Sequence, residues 1–278
     1  MPLPIQIVLA VVFALAFASF SNVIVDRLPV ALDEPNEFGE LHGTRPWAEV
    51  VGGTSRCSTC ASPVRAVDNI PVISYLLLRG KCRSCGERIP IFHLVVEAVV
   101  PVVVGLVVSR LGIGVASAHI LWLVLAGVAL ATIDMRTMIV PTILVWPSAG
   151  VSALVIGTTA LIEGSSRIVL GALLGVVGIA GILVMLWLAL PGGMGFGDVR
   201  LAVMLGLHLG AAAMMFEIPL PAAALLGVLS LTLAALLAII GGVIYKVGFG
   251  QNLPFAPAMV ASAIICCTWA NSILSPYF

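Results

Sequence analysis

The sequence predicts an all-α polytopic membrane protein with about eight transmembrane helices and one small cytoplasmic domain inserted after the first helix. The chain is 61% hydrophobic and only 9% charged, which excludes an ordinary soluble domain. Its apolar residues form continuous runs, whereas a membrane β-barrel would alternate apolar and polar residues. Two pairs of cysteines lie in the one long polar stretch, a pattern typical of a small domain held by a metal ion.

Eight apolar runs approach the length of about 20 residues that a helix needs to cross the hydrocarbon core. The sixth run is the shortest, and the runs cover about 3–25, 90–110, 112–133, 139–162, 166–190, 199–215, 220–245 and 254–274. The first run follows no positively charged region, so it is expected to remain as a permanent helix. The predicted domains are helix 1 (1–25), a cytoplasmic domain (26–89) and a second transmembrane region of about seven helices (90–278).

The distribution of basic residues predicts the orientation of the helices, because cytoplasmic loops keep the excess of Lys and Arg. With the N-terminus outside, eleven basic residues fall on the cytoplasmic side and only Arg110 and Arg167 fall outside. The same topology puts the polar domain in the cytoplasm and identifies the bilayer as a partner of the chain. The formal net charge of zero gives no indication of nucleic-acid binding.

The polar domain contains two C-x-x-C pairs separated by 21 residues, which is close to zinc-ribbon spacing. The predicted ligands of a structural Zn²⁺ are Cys57, Cys60, Cys82 and Cys85. A disulfide pair or a thioredoxin-like motif is the alternative, but the cytoplasm is reducing and a redox C-x-x-C is expected singly. Four thiolates fill the coordination sphere, so the metal would stabilise the domain and leave no position for a catalytic water.

Two aspartates end or begin apolar runs, and the predicted topology puts both at the cytoplasmic face. Asp198 lies in the stretch Gly192-Gly193-Met194-Gly195-Phe196-Gly197-Asp198-Val199, and Asp134 ends the third run. Each has a structural alternative, because Asp198 directly precedes a predicted helix and Asp is a good N-cap. Asp134 could likewise mark the turn before the next helix, paired with Arg136.

The glycines around Asp198 favour a functional site over simple capping. Gly195 and Gly197 expose the main chain, and irregular backbone at membrane depth is tolerated only where protein or water satisfies it. This suits a site that receives an extended peptide. Two carboxylates that meet there share a proton, so the ionised one can activate water while the protonated one donates to the scissile carbonyl oxygen. The pair therefore predicts a membrane aspartyl protease.

Glu97 is a third acid within an apolar run. It is a candidate for a functional role, here substrate binding, because charges inside membranes are costly. An interhelical hydrogen bond is an equally good interpretation. Other catalytic schemes fit less well, since the sequence has no HExxH histidine pair, no G-x-S-x-G elbow and no Walker-type phosphate loop.

The same residues resemble the type IV prepilin leader peptidases, within the wider group of G-x-G-D membrane aspartyl proteases. Gly195-Phe196-Gly197-Asp198 looks like the family's second aspartate motif, and Asp134 with Pro141 looks like its first. Similar signatures are Phe20-Ser21-Asn22-Val23-Ile24-Val25-Asp26-Arg27-Leu28-Pro29, the twin C-x-x-C pairs and Leu253-Pro254-Phe255-Ala256-Pro257. The approach to Glu97 departs from the pattern, because Phe92-His93-Leu94 replaces an arginine, an aromatic residue and a proline.

The resemblance implies an enzyme of the cytoplasmic (inner) membrane that cuts the short basic leader from prepilins and pseudopilins of type IV pili and type II secretion. It also implies N-methylation of the new N-terminus with S-adenosylmethionine, for which the sequence offers no recognisable nucleotide-cofactor loop. The competing hypothesis is a non-enzymatic scaffold or channel, in which the zinc ribbon binds a partner and the two acids cap helices.

Overall fold

The computed structural model of the chain describes residues 1–31, 42–190, 194–215, 219–244 and 253–276. Within these residues the fold is almost entirely helical, with one two-stranded antiparallel sheet. The chain forms two compact units, Met1–Ser109 and Arg110–Phe278. Gly192 and Gly193 of the predicted glycine-rich stretch lie outside the described residues.

The first unit contains two long helices and a polar segment between them. Its elements are α1 (Leu3–Arg27), β1 (Pro29–Ala31), β2 (His42–Thr44), α2 (Trp47–Val51), a short 3₁₀ helix (Ala66–Asn69), α3 (Ile73–Leu77) and α4 (Ile91–Leu111). Arg27 ends α1 and donates hydrogen bonds to the backbone carbonyls of Val50 and Gly52 at 3.1 and 2.6 Å. This side chain therefore fixes the start of the polar segment to the end of α1.

The second unit consists of helices. They are α5 (Val115–Thr137), α6 (Thr142–Ile162), α7 (Ser166–Ala189), α8 (Phe196–Met214), α9 (Ala222–Ile244), α10 (Ala256–Thr268) and α11 (Ala270–Leu274). Most of the large, fully buried side chains of this unit belong to α5 and α8, which form its centre. A helix that is hydrophobic on all sides is either buried or spans a membrane. Both α5 and α8 are apolar enough to span a membrane, and both are mostly buried inside the unit.

Seven helices in the described parts of the chain are long and apolar enough to cross a membrane. The predicted class, an all-α polytopic membrane protein, is therefore confirmed. The eighth predicted run, 254–274, is divided at Trp269 into α10 and α11. With 13 residues, α10 is about 20 Å long, which is shorter than the hydrocarbon core. Most of its residues are buried in the unit.

Glycines let α7 and α8 approach closely. A Cβ placed on Gly206 of α8 would lie 2.6 Å from the Cα of Val176, and one on Gly210 would meet the carbonyl oxygen of Gly171. Helices in membranes pack through such small residues because lipid supplies no hydrophobic force between them. The glycines therefore fix α8, and with it the carboxylate in its first turn, against α7.

Candidate active site and metal site

Asp134 lies in the last turn of α5, not in the turn that follows it. Its side chain is 5% exposed, and its Oδ2 accepts a hydrogen bond from the backbone N–H of Ala256 at 3.0 Å. Ala256 is the first residue of α10. The first N–H groups of a helix have no partner within the helix itself. The structural alternative expected Asp134 to mark the turn before the next helix, α6. The carboxylate instead binds the N-terminal end of α10.

Asp198 lies within the first turn of α8. Gly195 is the N-cap residue, and the backbone N–H of Asp198 donates to the carbonyl oxygen of Gly195 at 3.2 Å. The N-cap alternative for Asp198 is therefore wrong, because the helix begins two residues earlier, at Phe196. A carboxylate in this position is still favoured by the positive end of the helix dipole.

Gly197 brings the start of α8 against the segment that follows Asp134. A Cβ on Gly197 would lie 3.0 Å from the Cβ of Val140, which is closer than ordinary packing. Val140 lies six residues after Asp134 and Gly197 directly precedes Asp198, so this contact brings together the two helix ends that carry the acids. Gly195 is different, because a Cβ there would meet no atom nearer than 3.9 Å and the residue is exposed. One glycine permits the close approach, and the other leaves the main chain open beside the acid.

Apolar side chains next to the two acids are exposed. Met135 and Met138 flank the end of α5, and Phe196 precedes Asp198. Met138 ends α5 in the left-handed conformation, with φ 56°, and its N–H donates to the carbonyl oxygen of Asp134 at 2.8 Å. The guanidinium of Arg200 lies over the ring of Phe196, 5.6 Å from its centre. The carboxylates therefore border a surface that an apolar peptide segment can contact.

Two buried histidines link the helices that carry the aspartates, and sequence reasoning missed them. The Nδ1 atoms of His119 on α5 and His208 on α8 are 3.2 Å apart, and both side chains are fully buried. The Nε2 of His208 is 2.8 Å from the hydroxyl of Ser152 on α6. The available signal was the occurrence of polar residues inside apolar runs, which in membrane helices usually face other helices.

The four predicted cysteine ligands lie together in the first unit. Their sulfur atoms are all within 4.8 Å of one another, at Cys57, Cys60, Cys82 and Cys85. The Sγ atoms of Cys57 and Cys85 are 3.8 Å apart, and those of Cys60 and Cys82 are 4.0 Å apart. A tetrahedral ion with metal–sulfur bonds of about 2.3 Å places its ligands about 3.8 Å apart. The cluster therefore fits one metal ion, and its sulfurs are too far apart for disulfides.

The two C-x-x-C loops have the same backbone design. Residues Ala61 and Gly86 directly follow each pair, have φ values of 55° and 73°, and donate their N–H groups to the carbonyls of Cys57 and Cys82 at 3.0 and 2.9 Å. Hydrogen bonds from the hydroxyl and backbone N–H of Ser62 lower the pKa of Cys60 to about 6. Since the thiolate is the form that binds metal, these contacts favour coordination.

An ion pair connects the second loop to the segment between the loops. Nε and Nη2 of Arg83 donate to the carboxylate of Asp68 at 2.9 and 2.6 Å. The Arg83 guanidinium keeps the pKa of Asp68 below its usual value, through this hydrogen bond and the positive charge. The contact orients the short 3₁₀ helix relative to the metal-binding loops.

Glu97 lies on α4 in the first unit, whereas the two aspartates belong to the second. Its Oε1 accepts a hydrogen bond from the side-chain amide of Asn22 on α1 at 3.2 Å, and its Oε2 accepts one from the backbone N–H of Val72 at 2.7 Å. These contacts match the interpretation as an interhelical hydrogen bond. A substrate-binding role for Glu97 stays a prediction.

Comparison with known families matches both parts of the chain. Residues 12–111 match the bacterial peptidase A24 N-terminal domain, and residues 119–247 match the type IV leader peptidase family. No solved structure matches the chain.

Full-length relatives are similar along nearly the whole sequence. A prepilin leader peptidase/N-methyltransferase of Neisseria gonorrhoeae is 30% identical over 97% of this chain and 93% of the relative. The protein of the same name from Pseudomonas putida is 31% identical over 96% of this chain and 92% of its own length. One from Burkholderia pseudomallei (strain 1026b) is 33% identical over 77% of this chain and 72% of the relative.

Proposed function

The chain belongs to the type IV leader peptidase family, and we propose that it is a membrane aspartic endopeptidase that removes the short basic leader of prepilins and pseudopilins. The observation that supports this most directly is the contact between Gly197 and Val140, which brings together the helix ends that carry Asp198 and Asp134. The names of the relatives agree with it. They do not favour the alternative of a non-enzymatic scaffold or channel.

In the proposed reaction the two carboxylates share one proton. The ionised aspartate takes a proton from a water molecule as that water attacks the scissile carbonyl carbon, and the protonated aspartate donates its proton to the carbonyl oxygen. Collapse of the tetrahedral intermediate then breaks the C–N bond and returns a proton to the leaving amine. The helix start at Asp198 and the Ala256 N–H at Asp134 hold the two groups in place for these transfers.

The surroundings of the acids support a substrate that is both extended and apolar. Exposed Gly195 leaves room for a peptide main chain beside Asp198. Exposed Phe196, Met135 and Met138 offer apolar contacts for the residues next to the cut site. The family resemblance implies that a hydrophobic helix follows the leader of a pilin precursor. The residues next to the cut site are therefore apolar. We propose that this surface determines which peptide bond of the precursor is cut.

The topology we propose follows from the charges of the connecting loops. The N-terminus lies outside the cytoplasmic (inner) membrane, and the metal domain and both aspartates face the cytoplasm. Eleven of the thirteen basic residues then lie on the cytoplasmic side, as the positive-inside rule requires.

We propose that the four cysteines bind one structural Zn²⁺ and that the ion takes no part in peptide cleavage. The sulfur positions fit a tetrahedral site, and four protein ligands leave no open position on the metal. Metal analysis of the purified, active protein tests this assignment. A preparation that cleaves substrate without bound metal, and in which all four cysteines are unmodified, would contradict it.

The names of the relatives also support N-methylation of the product, and we propose that activity as a second function. S-adenosylmethionine would supply the methyl group. The described residues include no glycine-rich loop between a strand and a helix, so we assign no residues to this donor and no step through it.

Cleavage by the reconstituted protein tests the proposed function. The full chain in lipid is incubated with a pilin-like precursor, and the products are weighed by mass spectrometry. We expect leader release by the wild type, and a loss of about 10³-fold in rate for Asp134→Asn and for Asp198→Asn, because each removes one member of the proton-sharing pair. Glu163→Gln is the matched control, since Glu163 is an exposed acid of the same unit.

Two results would contradict the proposal. Near-normal cleavage by either aspartate variant would exclude the shared-proton mechanism. Failure of the wild type to cleave several precursors, while it remains folded and inserted, would exclude the peptidase. With active wild type, a mature product that lacks the added methyl group in the presence of S-adenosylmethionine would exclude the second function alone.

A further inference from the structure

Helix α3 of the first unit has an apolar face that the other described residues leave uncovered. Ile73, Leu76 and Leu77 are 54%, 61% and 77% exposed, and their spacing of three and four residues puts them on one side of the helix. Three large apolar side chains together on the surface of a polar domain usually mark an interaction site. We propose that α3 is an interfacial membrane anchor whose exposed face lies in the lipid leaflet adjoining the metal-binding domain.

The depth of α3 follows from a hydrogen bond between the residue that precedes it and a membrane-spanning helix of its own unit. The backbone N–H of Val72, directly before α3, donates to Glu97 at 2.7 Å. Glu97 lies six residues inside α4, or about 9 Å from its beginning along the helix axis. Asn22, which also binds Glu97, lies five residues before the end of α1. The start of α3 therefore lies at the level of the spans, not above their ends.

The backbone of this segment is compatible with such a depth, because its polar groups are bonded within the protein. The N–H groups of Ser74, Leu76 and Leu78 donate to carbonyl oxygens at 2.9–3.1 Å. Ile73 donates to the carbonyl of Pro71 at 2.6 Å across Val72, which has φ 62° and ψ −51°. This is the strained form of the γ-turn. The carboxylate of Glu97 holds the central N–H of the turn and so stabilises a conformation that Val rarely adopts.

The charges next to α3 match the headgroup region of a bilayer. Arg79 and Lys81 follow the helix directly and are exposed. Long basic side chains can keep their charge among lipid phosphates while their apolar stems lie deeper. The other side of α3 faces the domain, where Ser74 is buried and the hydroxyl of Tyr75 donates to the carbonyl of Ile89 at 3.3 Å. An apolar outer face bordered by basic residues is the pattern of an interfacial helix.

Electron paramagnetic resonance of a depth-sensitive label tests the anchor. A nitroxide is attached through a ketone-bearing amino acid, so that the cysteines stay unmodified, in the full chain in nanodiscs of phosphatidylcholine and phosphatidylglycerol. Collisions with oxygen, which concentrates in lipid, are compared with collisions with water-soluble chromium oxalate. The test position is 77. Position 154 on span α6 serves as the lipid reference, and position 58 in the metal-binding loop serves as the water reference, because Leu154 and Ser58 are both exposed.

We expect the oxygen-to-chromium collision ratio at position 77 to approach that at position 154 and to exceed that at position 58 severalfold. A ratio at position 77 equal to that at position 58 would show that α3 lies in water and would overturn the anchor. Low collision rates with both reagents would also overturn it, because they would mean that a protein surface covers α3. Neither outcome depends on peptidase activity, so a failure here leaves the proposed function unaffected.

Discussion

The cysteine cluster and the aspartate pair are built in opposite ways. The four sulfur ligands come from two short loops within one polar segment, and the same backbone geometry occurs in both loops. The two carboxylates come from α5 and α8, and a third helix, α10, supplies the N–H that binds Asp134. A local motif can thus specify a metal site almost alone, whereas the acid pair depends on how three helices pack.

The cysteine cluster and the acid pair should also be sensitive to different changes in the protein. The cysteine cluster lies at the surface, and its geometry depends on turns of a few residues and, under the proposed zinc binding, on the ion. The acid pair depends on close contacts between helices, such as that between Gly197 and Val140, and on the buried histidine pair. We therefore expect metal removal to act on the first unit, and packing changes to act on the second.

The largest expected effect is loss of the metal from the first unit. Replacement of Cys60 or Cys82 by serine should abolish metal binding, because the segment has too little apolar core to hold the cluster without all four ligands. Hydrogen exchange should show lost protection in residues 54–90, while the helices of the second unit keep theirs. Bound metal is measured on the same samples. If residues 54–90 kept their hydrogen-exchange protection after the metal was lost, the cluster would not depend on the ion, and the contrast with the aspartate pair would be wrong.

Acid should remove the metal from the wild type in the same way. Protons compete with the ion for the sulfurs, so affinity falls as pH falls. Hydrogen bonds from the hydroxyl and N–H of Ser62 lower the pKa of Cys60 and so favour its thiolate, the form that binds metal. Ser62→Ala removes the hydroxyl contribution, so its metal should be released at a higher pH than that of the wild type. Equal release curves would show that Ser62 does not tune the site.

A smaller effect is expected from the histidine pair of the second unit. His208→Leu leaves the Nδ1 of His119 buried without its partner, whereas the Ser152 hydroxyl keeps its bond to the carbonyl of Ser148. An unpaired buried polar group costs about 2 kcal/mol. Thermal unfolding in detergent should show this loss. The double variant His119→Phe with His208→Leu should recover part of it, because it leaves fewer unpaired polar groups than the single variant. Metal content should stay unchanged in both.

Gly197→Ala should separate the acids by a small distance and slow cleavage about tenfold, which corresponds to about 1.4 kcal/mol of activation free energy. The physical reason is the Cβ that would lie 3.0 Å from Val140. Gly157→Ala on α6 is the matched control, because a Cβ there would meet no atom within 4 Å, and this variant should leave the rate nearly unchanged. Val140→Gly in the Gly197→Ala background should restore part of the rate. An equal loss in both alanine variants would exclude the close-approach explanation.

The smallest effect concerns the equivalent residues of the two metal-binding loops. Ala61 has a left-handed conformation that glycine adopts without strain. Glycine also increases the entropy of the unfolded chain, which offsets part of this gain. Ala61→Gly should therefore change the stability of the first loop only slightly. Gly86→Ala introduces the same strain into the second loop and should destabilise it by about 1 kcal/mol. Resistance to a metal chelator compares the variants. A more resistant Gly86→Ala protein would contradict the shared loop design.

The sequence by itself determined the class of fold, the candidate acids and the candidate metal ligands. Continuous apolar runs specify membrane helices because the bilayer accepts little else, and the C-x-x-C pairs specify a tetrahedral cluster because their spacing fixes the local loops. Asp134 and Asp198 stood out because a charge inside or beside an apolar run is costly.

The tertiary structure decided what those residues contact. Helix starts and ends are poorly defined by hydropathy, so the N-cap role of Asp198 was wrong by three residues, since the N-cap is Gly195. The binding of Asp134 to Ala256, the histidine pair and the bond from Val72 to Glu97 each join residues at least 25 positions apart. No local pattern encodes such pairs, because they arise only when packed helices exclude water and lipid and each buried polar group must find its partner among the neighbours that packing supplies.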